Sequence, residues 1–251
     1  MEQSNHHIIQ IKKLKITEGN KVLLRNVDMK IDEHEVVALF GPSGNGKEIL
    51  LRVINQLLGQ EHKVSGTILF DNKATTTIPI QKLRQSIGMI FSEPTLFPMS
   101  IYENLAFGLR LNKIKDEKII NQKIRQVLID VHLIDALHKK LHQSINNLTI
   151  EQQQLLCLAR TLILEPKVIL MDKPTLLLNS SPKSRFEGLL FELKKKYTII
   201  VTVEDKQQAG RISDKVAFFY KGQLVEYGQT KNIFTHPQET LTESYITGRI
   251  G

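Results

Sequence analysis

The chain has 251 residues, of which 41% are hydrophobic and 24% charged, and its 34 Lys and Arg against 26 Asp and Glu leave a net charge of +8. This composition is that of an ordinary folded protein with one large or two small domains, and it excludes a largely disordered chain. The longest apolar runs are far shorter than the ~20 residues of a membrane-spanning helix, and the single cysteine, Cys157, excludes an internal disulfide framework.

The first part of the chain predicts antiparallel strands, then a buried strand and a helix. Alternating apolar residues indicate half-buried strands, and an unbroken apolar run indicates a fully buried one. The expected elements are strands over 8–16, 22–31 and 36–40, a helix over 49–58, and strands over 66–70 and 86–91.

The second part of the chain predicts helices that alternate with short apolar strands. The expected elements are a mostly helical stretch over 100–143, a helix over 151–166, a strand over 168–171, a helix over 183–196, a strand over 198–203, a short helix near Gln207, and strands over 216–220 and 223–227. Strands that alternate with helices imply an α/β fold, with a largely parallel sheet covered on both faces.

A glycine-rich turn between the predicted strand 36–40 and the following helix carries the strongest motif. Its residues match the G-x-x-x-x-G-K phosphate-binding loop and are Gly41, Pro42, Ser43, Gly44, Asn45, Gly46 and Lys47. The glycines let backbone N–H groups turn toward one point, and the helix start adds about half a positive charge. The lysine is then placed to reach the terminal phosphates of a nucleotide.

This loop, a later strand ending in Asp172, and residues 148–154 before a helix together resemble an ATP-binding cassette of ABC transporters. Segments 97–104, 217–222 and 245–251 are similar to the ATP-binding subunit of bacterial phosphate importers. The resemblance implies a P-loop NTPase cassette with a mainly parallel sheet, helices on both faces, an antiparallel β edge and an α-helical subdomain. The implied division is an α/β core of residues 1–91 and 163–251, with a helical subdomain over 92–162.

The resemblance also implies the ligands, the partners and the location of the chain. Family members bind ATP and Mg²⁺, work in pairs that sandwich two ATP molecules head to tail, and lie at the cytoplasmic face of the cell membrane beneath two permease subunits. Here Asp172 is the candidate metal ligand. We also expect a cytosolic chain because the first twenty residues lack an apolar signal core.

Several positions whose residues carry out ATP hydrolysis in the family hold other residue types in this chain. After Lys47 the family has Ser or Thr, whose hydroxyl binds Mg²⁺, and here Glu48 places a negative charge beside the phosphates. Lys173 stands where the family has a catalytic Glu, and a protonated amine cannot accept a proton. The switch His is matched by Val203 or, one residue later, by Glu204, and neither is an imidazole.

The loops that contact nucleotide in the family differ as well. Ser92 replaces the glutamine of the Q-loop, and Thr17 with Glu18 replaces the aromatic residue that stacks on adenine. The signature loop, Leu-Ser-Gly-Gly-Gln in the family, reads Leu148, Thr149, Ile150, Glu151 and Gln152. Residues 176–179 read Leu-Leu-Leu-Asn where Ser-Ala-Leu-Asp is usual.

We therefore expect a chain that keeps the fold while its ATP hydrolysis is weak or absent. One hypothesis is an ATP-binding subunit that serves phosphate import. The alternative is a non-hydrolytic pseudo-ATPase that regulates or supports an intact cassette or the permease. In a mixed dimer both composite sites would carry a defect. Nucleic-acid binding is not expected, because the basic runs at 139–140 and 194–196 lack interleaved aromatic residues.

Two further hypotheses concern contacts. Glu48 and Lys173 have opposite charges at positions that flank the family's magnesium site, so we expect them to form a salt bridge there in place of the ion. The permease groove is expected around residues 91–98 and 102–107, where Phe97, Tyr102 and Phe107 are either contact or core residues.

Overall fold

The computed structural model describes residues 6–250, so residues 1–5 and 251 of the predicted α/β core lie outside the described part. The strands are β1 (His7–Glu18), β2 (Lys21–Asp32), β3 (Val36–Phe40), β4 (His62–Phe70), β5 (Lys73–Ala74), β6 (Ile87–Ile90), β7 (Val168–Asp172), β8 (Thr198–Thr202), β9 (Lys215–Tyr220) and β10 (Gln223–Gln229). The helices are α1 (Lys47–Ile54), α2 (Ile80–Ser86), α3 (Ile101–Leu111), α4 (Glu117–Asp130), α5 (Ile134–Leu137), α6 (Ile150–Leu162), α7 (Ser180–Leu193), α8 (Lys206–Ile212), α9 (Thr230–Thr235) and α10 (Thr240–Ile246).

In this described part of the chain the strands form two sheets. The larger sheet has the order β10-β9-β3-β8-β7-β6 and is parallel except for the β9–β10 pair, and the smaller one has the antiparallel order β2-β1-β4-β5. Strands β3, β7 and β8 are buried at every residue, as their unbroken apolar runs predict. Because β8 lies between β3 and β7, the loops that follow these three strands emerge side by side at one edge of the sheet.

The predicted α/β class with an antiparallel edge is confirmed, and the boundaries differ in places. Helix α1 ends at Ile54 rather than at residue 58, and α6 ends at Leu162 rather than at 166. Strand β4 begins earlier than predicted, at His62, and α7 begins at Ser180. Helices α2, α9 and α10 were not predicted, because six or seven residues hold too few apolar positions to establish a 3.6-residue period.

The helices between residues 101 and 162 pack onto the parallel sheet. One buried cluster contains Met171 of β7 and Phe186 of α7 together with Leu105 of α3 and Leu156 of α6. A second cluster fills the space between the two sheets around α1. The division into a core of 1–91 and 163–251 and a helical subdomain of 92–162 stays a proposal. None of the helices within residues 6–250 is long and apolar enough to cross a membrane.

Candidate phosphate-binding site

The predicted phosphate loop connects β3 to α1, and its backbone requires glycine at two positions. Gly41 has φ 130°, and a Cβ built on it would lie 2.1 Å from the carbonyl oxygen of Phe219. Gly46 has φ 91° as the N-cap of α1, where a Cβ would lie 2.4 Å from the side chain of Leu24. Both positions combine a left-handed backbone with close neighbours, so any larger residue would distort the loop.

The amine of Lys47 is turned back onto its own loop. The side chain is 1% exposed, and Nζ donates hydrogen bonds to the carbonyl oxygens of Gly41 at 2.9 Å and Pro42 at 2.6 Å. Burial lowers the pKa of this amine below its ordinary value, although the neighbouring Glu48 carboxylate opposes the shift. A phosphate oxygen of a bound nucleotide would therefore take the third N–H of this ammonium or compete with the two carbonyl acceptors.

The predicted salt bridge between Glu48 and Lys173 is confirmed, and it has a third member. Lys173 Nζ lies 3.1 Å from Glu48 Oε1 and 3.1 Å from Glu204 Oε1. The side chains of Glu48 and Lys173 are 21% and 18% exposed, whereas Glu204 is 49% exposed. Ser43 Oγ donates to Glu204 Oε1 at 3.4 Å. One ammonium thus links the start of α1, the end of β7 and the loop after β8.

The electrostatics of this cluster favour the charged forms of the central pair. Burial raises the pKa of Glu48, but the hydrogen bond from its own N–H and the nearby Lys47 and Lys173 outweigh it, and the net shift is downward. Burial lowers the pKa of Lys173, and the hydrogen bonds to Glu204 and Glu48 reverse this to a net rise. Lys173 therefore stays protonated and cannot act as a general base.

The residues present do not fit a divalent cation. Asp172 is buried at the end of β7, where Thr202 Oγ1 donates to its Oδ1 at 2.9 Å, and burial raises the pKa of this carboxyl above its ordinary value. Within residues 6–250, no three His, Cys, Asp or Glu side chains are arranged to hold a metal ion. The ammonium of Lys173 lies between the carboxylates that a metal would need.

Of the two residues matched to the switch His, only Glu204 reaches the site. Val203 is buried in the core, and its N–H donates to the carbonyl oxygen of Leu39 at 3.1 Å. Glu204 is placed at the site by the end of β8. Sequence reasoning named this residue only as an alternative match and missed its bond to Lys173. Its acidic side chain, directly after a buried strand adjacent to β3 and β7, was the signal available.

The signature residues are occupied by contacts within their own chain. Thr149 caps α6, with Oγ1 accepting from the Gln152 N–H at 3.2 Å and the Gln152 side chain accepting from the Thr149 N–H at 3.0 Å. Glu151 accepts two hydrogen bonds from Arg185 of α7, at 2.9 and 2.7 Å. Leu148 packs partly buried against the core, and Ile150 is exposed. In the described residues, none of the hydrogen bonds joins this loop to residues 41–48.

We expect the Thr149→Ala variant to lose about 1 kcal/mol of unfolding free energy, because the substitution removes the hydroxyl that accepts the Gln152 N–H and leaves only the bond from the backbone N–H of residue 149. Urea denaturation followed by circular dichroism measures the loss. Thr149→Ser is the matched control and should stay close to the unaltered chain, since serine caps equally well. Equal stability of the alanine variant would contradict the capping role.

The remaining predicted contact residues lie in different environments. Ser92 is half-buried, and the carbonyl of its neighbour Phe91 accepts a hydrogen bond from Gln154 of α6 at 2.8 Å. Tyr102 is buried, so of its two expected roles, permease contact or core residue, the structure supports the core role. Phe97 and Phe107 are partly exposed, with ring centroids 4.9 Å apart.

Two further segments are matched to nucleotide-contacting positions of the family, the adenine-stacking position at residues 17–18 and the loop over 176–179. Thr17 and Glu18 end β1, with Glu18 exposed. Leu176 and Leu177 are exposed in the loop after β7. Neither region supplies an aromatic ring or a charge of the kind that the family's nucleotide contacts require.

Comparisons with known proteins agree with the resemblance seen in the sequence. Residues 24–176 match the family model described as "ABC transporter". The chain is 41% identical to "Phosphate import ATP-binding protein PstB 1" of Streptococcus mutans, over 97% of this chain and 98% of that protein. It is 43% identical to the PstB protein of Pyrobaculum aerophilum, over 94% and 96%. The solved structure of cbiO1 from Clostridium perfringens superimposes with a TM-score of 0.82 at 28% identity, over 96% and 95% of the two chains.

Proposed function

Since this chain belongs to the ABC transporter family, among its ATP-binding subunits, we propose that it is a phosphate-import ATP-binding subunit in which ATP hydrolysis is weak or absent. The sequence identity to phosphate import ATP-binding proteins over nearly the whole chain supports a role in phosphate import. The bond of Lys173 to both Glu48 and Glu204 supports the loss of hydrolysis.

The chemical reason is the absence of a proton acceptor at residue 173. ATP hydrolysis needs a group that orients and deprotonates the attacking water, and the loss of a general base costs roughly 10²- to 10⁴-fold in rate. The protonated amine of Lys173 repels the proton that must be taken up. Glu204 is the nearby carboxylate, but its charge is engaged by that same amine.

The partners and the location follow from the family. We propose that the chain works at the cytoplasmic face of the cell membrane with transmembrane permease subunits and a second cassette. When ATP and Mg²⁺ are bound, the family's chemistry is phosphoanhydride hydrolysis. Here residues 41–47 would hold the phosphates, whereas Asp172, the metal ligand that the resemblance implies, accepts a hydrogen bond from Thr202 at a site whose charges do not fit Mg²⁺.

A second candidate function is a non-hydrolytic pseudo-ATPase that regulates or supports an intact cassette or the permease. It is favoured by the bidentate bond between Glu151 and Arg185, which commits the signature loop to its own chain. A loop tied in this way has less freedom to approach a nucleotide held by a partner.

We expect the purified chain to release no phosphate from ATP above background, with or without Mg²⁺. The measurement is phosphate release at high protein concentration, alone and after reconstitution with permease subunits. Lys47→Ala is the control, because it removes the phosphate-binding amine and should leave the background unchanged. Rapid release that this substitution abolishes would overturn the proposed loss of hydrolysis.

A further inference from the structure

The cluster around Lys173 already contains the positive charge that a phosphate site usually takes from a metal ion. Two ammonium groups, on Lys47 and Lys173, lie near the carboxylates of Glu48 and Glu204, and Asp172 adds a further carboxyl whose pKa burial raises. A divalent cation added here would meet the ammonium of Lys173 at short range, where like charges repel strongly. The site is therefore better matched to an anion that arrives without a metal.

This inference rests on the proposed function. We propose that the Lys173 ammonium takes the place of a bound metal ion as the counter-ion, and that this phosphate loop binds the polyphosphate chain of its ligand without Mg²⁺. The ammonium stays paired with Glu48 and exchanges Glu204 for a phosphate oxygen. Hydrogen bonds between charged groups of this kind are among the strong ones in proteins.

Glu204 is the partner that can be exchanged. It is 49% exposed against 21% for Glu48, and its bond to Ser43 Oγ is long, at 3.4 Å. An exposed carboxylate that leaves an ion pair is rehydrated at little cost, whereas Glu48 is held by the start of α1. Displacement of Glu204 also removes the negative charge that would otherwise repel a phosphate.

There is room beside Lys173 and Glu204 for a phosphate group on this ammonium, in a cavity whose lining includes none of residues 41–47. A cavity of about 200 Å³ opens between the loops after β7 and β8, lined in part by Lys173, Thr175, Lys183, Glu204, Asp205 and Gln208. Lys183 lines this cavity as well, so its lining holds two lysines and the two carboxylates of Glu204 and Asp205.

Recognition should depend on the polyphosphate chain rather than on the base. Thr17 and Glu18 offer no aromatic face on which adenine can stack. Inorganic tripolyphosphate should therefore bind about as well as ATP does.

Isothermal titration calorimetry with ATP and with tripolyphosphate, in EDTA and in excess Mg²⁺, tests this proposal. We expect binding in EDTA, weakened about tenfold or more when Mg²⁺ is present. Lys173→Met should weaken binding in EDTA by about tenfold, the amount that one charged hydrogen bond contributes. Lys173→Arg keeps the cation and should retain most of the affinity, provided that circular dichroism shows both variants folded.

Lys183→Met is the matched control, because it removes one charge from the same cavity but no bond to Glu48 or Glu204, and it should change the affinity much less than Lys173→Met does. Tighter binding with Mg²⁺, or no heat from either ligand in either buffer, would overturn the proposal. Neither result tests the proposed loss of hydrolysis, which only the release of phosphate from ATP would overturn. A failure of the metal-free binding proposal is therefore distinguishable from a failure of the proposed function.

Discussion

A variant carrying Glu48→Ser, Lys173→Glu, Ile150→Gly and Glu151→Gly is expected to hydrolyse ATP with Mg²⁺ about 10²- to 10⁴-fold faster than the unaltered chain. Lys173→Glu supplies a carboxylate in place of the ammonium that bonds Glu48 and Glu204. Glu48→Ser removes a negative charge beside the phosphates and supplies a hydroxyl ligand. Glu151→Gly releases the signature loop from Arg185, and Ile150→Gly restores the other glycine of the family's signature.

The same four substitutions in a chain that also carries Lys47→Ala form the control, and phosphate release should return to background. Lys173→Glu alone is expected to give no gain, because residues 48, 173 and 204 would then be three carboxylates at short range. A folded four-substitution variant with no gain over the unaltered chain would contradict the assignment of weak or absent hydrolysis to these residues.

The second large effect is expected at Lys215, which joins the two sheets. Lys215 Nζ of β9 lies 2.7 Å from Asp32 Oδ2 at the end of β2 and 2.9 Å from Glu35 Oε2 in the following turn, and the three side chains are 11–18% exposed. Lys215→Met leaves two partly buried carboxylates without their cation. We expect it to lower the unfolding free energy by about 3 kcal/mol, as measured by chemical denaturation at neutral pH.

Lys167→Met is the matched control for Lys215→Met. Lys167 Nζ lies 2.8 Å from Asp71 Oδ2, and the two side chains are 55% and 38% exposed. Solvent screens such a pair, so we expect a loss below about 1 kcal/mol. Equal effects of the two substitutions would contradict a special role for the Lys215 cluster.

The pH dependence of this effect follows from Asp32, because burial holds the pKa of the other carboxyl, Glu35, above its ordinary value. Burial raises the pKa of Asp32, but the hydrogen bonds from Lys215 and His7 outweigh it and hold the pKa below its ordinary value. A lowered pKa in the folded state contributes stability above the unfolded pKa, and this is lost as the pH falls through the folded value. The stability difference between Lys215→Met and the unaltered chain should therefore shrink below about pH 4.

Much of the fold was predictable because its strongest signals are local. The unbroken apolar runs of β3, β7 and β8 can be recognised from the residues of each strand alone. The glycine turn that follows β3 can be recognised in the same way. The short helices α9 and α10 were not predictable, because they form by packing on the rest of the chain. Phe234 and Tyr245 from these helices pack against the main core cluster.

Residue type and spacing alone indicated the fold class and the phosphate-loop motif, and they also carry the prediction that the residues of ATP hydrolysis are replaced. The contact between Glu48 and Lys173 was predicted from their opposite charges and from the neighbouring positions that the family resemblance implies for them. The folded chain was needed to show that Glu204 completes this cluster, that Val203 is buried, and that Lys47 bonds to its own loop. These contacts depend on which parallel strands are neighbours, and strand order is set by packing between segments far apart in the chain.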